Sequence, residues 1–237
     1  MGGMGNKGVN MGHKFRYISK YDLQVKEAYK NLIEILNKVQ DLVRDKFTFE
    51  YNTVGSYRYN MITCDENLNV GFDIDVDIKV NNDAENYTAQ EIKDTIRNTL
   101  NRVIGNINNI YHLNYCGYSY AKDKTRTITI NVVDCCHSRI VYHCDLAIIR
   151  NCIKNGKSVQ QYIHFNKKTQ TYLWCNQSKG YYMISQKIKW LKKNGLWQEL
   201  RDYYLYIKNA NTNDDIHSRT LFAIAVHEMC QKNGYYK

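Results

Sequence analysis

The sequence predicts an α+β fold, in which a strand-rich N-terminal body is followed by a mainly helical C-terminal body. Three stretches of the N-terminal body alternate apolar and polar residues or are rich in β-branched residues, as strands are: 70–80, 125–133 and 139–149. From residue 182 onward the apolar residues recur instead at the spacing of a helix. The change of period between residues 155 and 180 therefore separates two bodies of different architecture.

The first predicted element is an amphipathic helix over residues 20–46. Its apolar residues, from Val25 to Val43, recur three or four positions apart, and Asp22 stands before them as an N-cap. The strand Phe47–Val54 follows this helix. The later elements are a strand over 70–80, a helix over 88–103, strands over 125–133 and 139–149, and helices over 183–194, 196–209 and 218–230.

These elements divide the chain into three parts. They are a flexible, Gly-rich N-terminus over residues 1–19, a core over 20–155, and a basic, mainly helical lobe over 156–237. With 43% hydrophobic and 24% charged residues, the chain of 237 residues can bury a core. No apolar run approaches the roughly 20 residues that a membrane-spanning helix needs, and the first residues lack the apolar centre of a signal peptide. We therefore expect a cytoplasmic protein without membrane insertion.

Positive charge is concentrated in the C-terminal part of the chain. The formal net charge is +10, and residues 151–237 carry 14 Lys and Arg against five Asp and Glu. A solvated basic face is a common reason for such an excess on helices. An anion-binding lobe for phosphates or nucleic acid is the functional interpretation. Charge by itself does not decide between the two.

The eight cysteines form no C-x-x-C pair, so a disulfide framework is not expected. Five neighbouring residues could in principle supply zinc ligands: Cys135, Cys136, His137, His143 and Cys144. Their spacing matches no standard zinc motif. The favoured interpretation is that these thiols behave as small apolar groups on or beside two adjacent strands.

The most informative segment runs from Gly71 to Val80 and contains three aspartates. Because successive side chains of a strand point to opposite faces, Asp73, Asp75 and Asp77 share one face, about 7 Å apart. Carboxylates in such a row repel one another, and a divalent cation would remove that repulsion. Oxygen ligands of this kind favour Mg²⁺ or Mn²⁺. The alternative is a solvated strand face that carries aspartates without a ligand.

Two other segments support the ligand interpretation. Gly55-Ser56 follows a strand, where a glycine lets the backbone approach a phosphate and a serine hydroxyl can donate to it. Asp145 is a single carboxylate in an otherwise apolar strand, and a buried carboxylate is costly unless it is paired or metal-bound. If this strand neighbours the acidic one, Asp145 completes a site of three carboxylates.

Gly55-Ser56, then Asp73-x-Asp75, then Asp145 in a His-x-Asp-Leu context, resembles the DNA polymerase β-type nucleotidyltransferase superfamily. Within it the sequence is most similar to the bacterial cyclic GMP-AMP synthase-like and oligoadenylate synthase-like branch, whose long N-terminal helix corresponds to residues 22–46. The resemblance implies a polymerase β-like core, a mixed sheet flanked by helices, with a compact C-terminal helical lobe. One departure is Asn60-Met61, where many relatives have Gly-Thr.

The resemblance also implies the roles of particular residues. Asp73, Asp75 and Asp145 would be catalytic and would hold two Mg²⁺ or Mn²⁺ ions, with Asp77 as a further candidate ligand. The residues implied in nucleotide binding are Gly55, Ser56, Lys208 and Ser218. The simpler interpretation of the last two is a surface lysine and a helix N-cap serine.

The activity that the resemblance implies is template-independent transfer of nucleotides from NTPs or dNTPs, giving a cyclic or short linear oligonucleotide. Such a product would be a signal in antiphage defence and would act on a downstream effector protein. The basic lobe, with Lys187, Lys192 and Lys193, would neutralise the triphosphate or a growing oligonucleotide. Two rivals stay open, which are a toxin-type transferase that modifies tRNA or protein and a catalytically silent binding module.

Overall fold

A computed structural model describes residues 13–67, 71–81, 85–111, 116–134, 136–137, 139–213, 216 and 218–235. Within these ranges the strands are β1 (Phe15–Tyr17), β2 (Phe49–Thr53), β3 (Thr63–Asp65), β4 (Phe72–Val80), β5 (Cys116–Tyr118), β6 (Lys122–Asp123), β7 (Thr127–Asp134), β8 (Arg139–Lys154), β9 (Lys157–Asn166) and β10 (Thr171–Asn176). The helices are α1 (Leu23–Val43), α2 (Gly55–Tyr59), α3 (Ala89–Tyr111), α4 (Lys179–Lys193), α5 (Trp197–Ala210) and α6 (Ser218–Lys232).

The main sheet is mixed and is organised around the long strand β8. Its strand order is β10-β9-β8-β4-β2, and β7, which carries β5 and β6 on its other side, also pairs with β8. The β4–β8 pair is parallel, whereas β2–β4, β7–β8 and β8–β9 are antiparallel. β7 pairs with the first part of β8 and β9 with its last part, so β8 is hydrogen-bonded to both strands.

One face of the sheet packs on α1 and α3. The inward residues of β4, from Phe72 to Val80 at every second position, are buried in one cluster with the apolar stripes of both helices. Asp22 begins α1 as predicted, because its carboxylate accepts a hydrogen bond from the Gln24 N–H at 3.0 Å. The apolar layer covers this face, so the polar positions of β4 lie on the other face.

A second apolar cluster joins α4, α5 and α6 into the C-terminal lobe. Its buried members include Leu191, Leu200 and Val226, with Met61 contributed by the N-terminal body. Asn209 further ties the lobe to β1 through hydrogen bonds with both main-chain groups of Phe15. The two bodies therefore meet along the polar face of the sheet.

The structure departs from the predicted elements mainly between residues 155 and 180. No element was assigned there, but β9 and β10 extend the sheet to Asn176, well past the predicted boundary at residue 155. Helix α3 also continues eight residues beyond the predicted end at Val103, to Tyr111. The β9 sequence Lys157–Asn166 mixes glutamines with apolar residues, so its strand character comes from pairing with β8 and β10 rather than from a clear local period. Among the described residues, no helix is long and apolar enough to cross a membrane.

Candidate active site

The parallel pairing of β4 with β8 brings the predicted carboxylates together. Asp75 lies directly opposite Asp145 in the register, and Asp73 lies opposite His143. Because side chains alternate along both strands, all of these residues project from the polar face. The strand that carries Asp145 is therefore the neighbour of the acidic strand, as the three-carboxylate hypothesis requires.

Asp145 is oriented by side chains of β7 and of the turn before it. The Thr129 hydroxyl donates a short hydrogen bond to Asp145 Oδ1, and the Thr127 hydroxyl lies 3.5 Å from the same oxygen. The Lys124 ammonium lies 3.8 Å from this oxygen as well. These three contacts share one carboxylate oxygen of Asp145 and leave Oδ2 for other partners.

Asp73 is paired with a histidine from the adjacent strand. His143 Nε2 contacts Asp73 Oδ1, and this hydrogen bond raises the pKa of His143 above its ordinary value. The imidazole is partly buried, and Asp73 is the most exposed aspartate of the strand. The pairing compensates part of the negative charge at the mouth of the site.

Asp75 is withdrawn from water and lies among the other carboxylates. Burial, followed by the nearby charges of Asp73, Asp145 and Asp77, raises its pKa to about 7, while Arg219 acts in the opposite direction. The ionised form is therefore destabilised in the ligand-free protein. Such a site gains free energy when a cation binds beside it.

Asp77 lies on the same face but in different surroundings. Burial raises its pKa to about 6, opposed by Arg219, Arg126 and Arg58. Its cross-strand neighbour on β8 is Ala147 rather than a carboxylate. Asp77 therefore lies beyond the Asp75–Asp145 pair along β4, although its charge still acts on Asp75.

Gly55 packs directly against the Asp75 carboxylate. Its φ of +59° lies in the left-handed region, and a Cβ at this position would collide with Asp75 Oδ2. The Val54 N–H donates to the Asp75 main-chain oxygen at 2.9 Å, and the Met61 N–H donates to that of Ser56 at 2.8 Å. The Gly55-Ser56 turn is thus held against the acidic strand, and glycine is required for the close approach.

These groups line a cleft of about 340 Å³ between the polar face of the sheet and the C-terminal lobe. All eight residues implied by the resemblance contribute to its lining: Gly55, Ser56, Asp73, Asp75, Asp77, Asp145, Lys208 and Ser218. The chain thus gathers these positions, which are up to 163 residues apart in the sequence, around one space.

Lys208 and Ser218 enter the cleft from the C-terminal lobe. Lys208 is buried, and its ammonium donates to Thr63 Oγ1 at 2.6 Å and lies 4.1 Å from the centre of the Phe15 ring. Burial lowers its pKa, with Asp73 opposing. Ser218 begins α6 and is hydrogen-bonded to Tyr204, whose pKa burial raises to about 12. The simpler interpretation of Lys208 as a surface lysine is wrong, because its side chain is enclosed.

Three other lysines of the lobe lie outside the lining of the cleft as the structure describes it. Lys187 contacts His227 Nδ1 at 2.6 Å, and the Lys192 ammonium lies 4.2 Å from the centre of the Trp197 ring. Lys193 belongs to the last turn of α4. The cationic groups that do line the cleft, besides Lys208, are Arg58, Arg126 and Arg219.

The donor set of the site fits a hard divalent cation. Asp73, Asp75 and Asp145 offer oxygen only, the ligand type that Mg²⁺ prefers. No group of three or more His, Cys, Asp and Glu side chains forms a ready metal cage in the part of the chain that the structure describes. An ion would therefore take its remaining ligands from water and substrate phosphates, as Mg²⁺ usually does.

The cysteine and histidine cluster is divided between different surroundings. Cys144 is buried in the apolar core, so its thiol has the role that the favoured interpretation predicted. His143 contacts Asp73, and His137 pairs with Asp134 at 2.8 Å. Cys135 lies outside the described residues.

Sequence reasoning missed several residues that shape the cleft. Thr127 and Thr129 alternate with isoleucines in β7, a pattern that places both hydroxyls on one face, although it does not reveal which strand they face. Arg219 directly follows Ser218 and could have been noticed by that adjacency. Arg126 carries no local signal, because the β6–β7 turn brings it to the cleft.

Solved structures with this fold were found by structural comparison. The chain superimposes on a CdnE cyclic dinucleotide synthase of Elizabethkingia meningoseptica, solved with GTP and Apcpp, with a TM-score of 0.52 and 14% identity over 89% of this chain and 70% of that one. It also superimposes on a CdnE c-UMP-AMP synthase of Rhodothermus marinus, solved with Apcpp and Upnpp. The TM-score is 0.55, and the identity is 12% over 88% of this chain and 71% of that one. No protein-family model and no curated protein matches the sequence.

The comparison establishes the fold of the chain. The mixed sheet flanked by helices, with its helical C-terminal lobe, is the polymerase β-like nucleotidyltransferase fold of these synthases. The resemblance stated from Gly55-Ser56, Asp73-x-Asp75 and Asp145 is thereby confirmed at the level of the fold.

Proposed function

We propose that this chain is a metal-dependent, template-independent nucleotidyltransferase that joins NTPs or dNTPs into a cyclic or short linear oligonucleotide. We further propose that the product is a cytoplasmic signal in antiphage defence, read by a downstream effector protein. One observation carries the proposal. It is the meeting of Asp73, Asp75 and Asp145 from two parallel strands in a cleft that Gly55 and Ser56 also line.

The three carboxylates supply the oxygen ligands on which metal-assisted phosphoryl transfer depends. Asp73, Asp75 and Asp145 would hold two Mg²⁺ or Mn²⁺ ions, which would neutralise the phosphates and activate the attacking hydroxyl. The hydrogen bond from Thr129 and the contact with His143 orient two of these carboxylates before any substrate binds. This preorganisation is what electrostatic catalysis requires.

The remaining residues of the cleft suit a triphosphate. The absence of a side chain at Gly55 lets the Gly55-Ser56 turn lie directly against the Asp75 carboxylate. The Ser56 hydroxyl lines the cleft beside it and can donate a hydrogen bond to a phosphate oxygen. Lys208 and Ser218 would hold the outer phosphates from the opposite side of the cleft. The Lys208 ammonium is withdrawn from water and contacts the Thr63 hydroxyl and the Phe15 ring. A phosphate anion would therefore supply a negative counter-charge for this ammonium.

The test is a product analysis. Purified protein is incubated with each NTP and dNTP, alone and mixed, with Mg²⁺ or Mn²⁺, and the products are resolved by mass spectrometry. We expect small cyclic or linear oligonucleotides that disappear in the double variant Asp73→Asn, Asp75→Asn. Asp41→Asn is the matched control, because this exposed carboxylate pairs with Arg44 on α1, away from the cleft.

Two results would contradict the synthase proposal. Labelled nucleotide transferred to tRNA or protein, with no small product, would show the toxin-type activity. Nucleotide binding without transfer to any acceptor would indicate a silent binding module.

A further inference from the structure

The cleft continues past the three carboxylates along the sheet. Its deeper part is the region lined by Asp77, Arg126, Tyr162 and Gln177. Asp77 shares a face of β4 with Asp75 and lies about 7 Å further along the strand. Its neighbours in the register are Asn52 on β2 and Ala147 on β8, so no carboxylate stands opposite it. A nucleotide whose triphosphate lies at the three carboxylates has room to place its nucleoside in this part of the cleft.

One wall of the deeper part is flat and held in place. The Arg126 guanidinium lies 3.9 Å from the centre of the Tyr162 ring and donates to Gln177 Oε1 at 2.9 Å. The Gln177 N–H in turn donates to the main-chain oxygen of Gln160 at 2.8 Å. A planar guanidinium stacked on an aromatic ring presents the kind of surface against which a nucleobase packs.

Asp77 has unused acceptor capacity in this part of the cleft. No hydrogen bond or ion pair joins its carboxylate to another residue within the described ranges, and the charges of Arg219, Arg126 and Arg58 act on it at longer range. A half-buried carboxylate that has lost water without gaining donors is destabilised. A ligand with N–H groups would restore what Asp77 lacks.

The arrangement of donors on the nucleobases then decides which base fits. Guanine presents two adjacent donors, N1–H and the 2-amino group, and a carboxylate can accept both. Adenine and cytosine place a ring nitrogen beside their amino group, and uracil flanks N3–H with two carbonyl oxygens. A carboxylate repels these acceptors.

Building on the proposed function, we propose that Asp77 selects a guanine nucleotide. Its two carboxylate oxygens accept hydrogen bonds from guanine N1–H and the 2-amino group, while the base lies against the stack of Arg126 on Tyr162. Asp77 is then a specificity residue and not a metal ligand.

The test measures binding, so that it does not depend on turnover. The full chain is titrated calorimetrically with GTP, ITP and ATP in the presence of Mg²⁺, where ITP is the guanine analogue that lacks the 2-amino group. We expect GTP to bind about 5- to 150-fold more tightly than either of the others, the range that corresponds to about 1–3 kcal/mol for a good bidentate pair. Asp77→Asn should remove most of this preference and change the affinity for ATP less than about threefold.

Asp41→Asn is again the matched control, and Asp77→Ser is a second variant for the case that Asp77→Asn lowers the melting temperature. Equal affinities for the three nucleotides, or an equal loss for all three in the variants, would overturn the assignment. The affinity of dGTP is compared with that of GTP in the same way. If dGTP binds more weakly than GTP by as much as ITP does, and only when Asp77 is present, Asp77 reads the ribose and the guanine assignment is wrong. Guanine selection that depends on Asp77 without any nucleotide product would support this inference and contradict the proposed transferase.

Discussion

Two groups of charged side chains are withdrawn from water in this protein, and they differ in how their charge is balanced. In the balanced cluster, Lys93 of α3 lies 2.6 Å from Asp123 and also donates to the Lys124 main-chain oxygen at 2.9 Å. Arg97 and the Tyr172 hydroxyl complete the partners of Asp123. In the acidic cluster, Asp73, Asp75, Asp77 and Asp145 face one cleft.

The charges of the balanced cluster are paired within the protein itself. Lys93 is only 1% exposed, and burial lowers its pKa while Asp123 opposes that shift. Its two contacts connect α3 to the β6–β7 turn, which carries Lys124 and Arg126 toward the cleft. An ion pair of this type favours one arrangement of the chain, and its two charges are balanced without a ligand.

The acidic cluster is compensated only in part by the described residues. Among the described residues, direct contacts to it come from His143, Lys124 and the threonine hydroxyls. Burial, followed by the charges of the neighbouring acids, raises the pKa of Asp75. The comparison shows how to distinguish structural from functional buried charge. Charge paired within the chain supports the fold, whereas like charges kept together against their repulsion indicate a missing ligand.

The largest effect is expected in the balanced cluster. Lys93→Met leaves Asp123 without its main partner, and we expect the free energy of unfolding to fall by about 3–5 kcal/mol, the usual cost of removing one member of a buried pair. Urea denaturation measures this loss. The double variant Lys93→Met, Asp123→Leu should recover much of the stability, because it leaves no buried charge unpaired. A loss in the single variant below about 1 kcal/mol would show that the pair is not structural.

Removing a charge from the acidic cluster should have the opposite effect on stability. Asp75→Asn removes one of several repelling charges, so we expect the free energy of unfolding of the metal-free protein to stay the same or rise. Nucleotide transfer should fall by at least about 100-fold, since the loss of one preorganised group at a reacting centre costs about 10²–10³ in rate. Denaturation and product formation are measured on the same preparation. A variant that is both unstable and inactive would remove the distinction between the clusters.

The smallest effect is a pH dependence of stability in the absence of divalent cations. The pKa of Asp75 is about 7 in the folded protein against an ordinary 3.8, so between pH 4 and pH 7 the folded state holds a proton that the unfolded state has released. The free energy of unfolding therefore falls as pH rises through this window and levels off above it. We expect this contribution to be about 1–3 kcal/mol, after allowance for solvent screening.

The comparison of wild type with Asp75→Asn isolates the contribution of Asp75 from those of other groups. Mg²⁺ at millimolar concentration should flatten the decline, because it binds the ionised form and stabilises the folded state. The free energy of unfolding is plotted against pH for wild type and Asp75→Asn, without and with Mg²⁺. Parallel curves would mean that Asp75 does not carry the uncompensated charge.

Several features of the fold followed from local sequence patterns. The helix over residues 20–46, with its cap at Asp22, was predicted because an apolar stripe and a capping residue report on neighbours within a few positions. The strand that carries Asp73 and Asp75 was predicted because apolar and polar residues alternate along it. By contrast, β9 and β10 were missed, since the residues of β9 show no clear period and each of the two strands is defined by its pairing with a neighbour. The Asn155-Gly156 turn between β8 and β9 was the local hairpin signal that could have revealed them.

The sequence by itself determined which side chains share a face. Alternation along a strand places Asp73, Asp75 and Asp77 together whatever the rest of the chain does, because it follows from the geometry of the extended backbone. Only the tertiary structure decided what those side chains meet. The register of β4 against β8 puts Asp145 beside Asp75 and Ala147 beside Asp77, and chain packing encloses Lys208 and brings Arg126 to the cleft. Pairing and packing depend on the burial of the whole core, so no window of a few residues contains them.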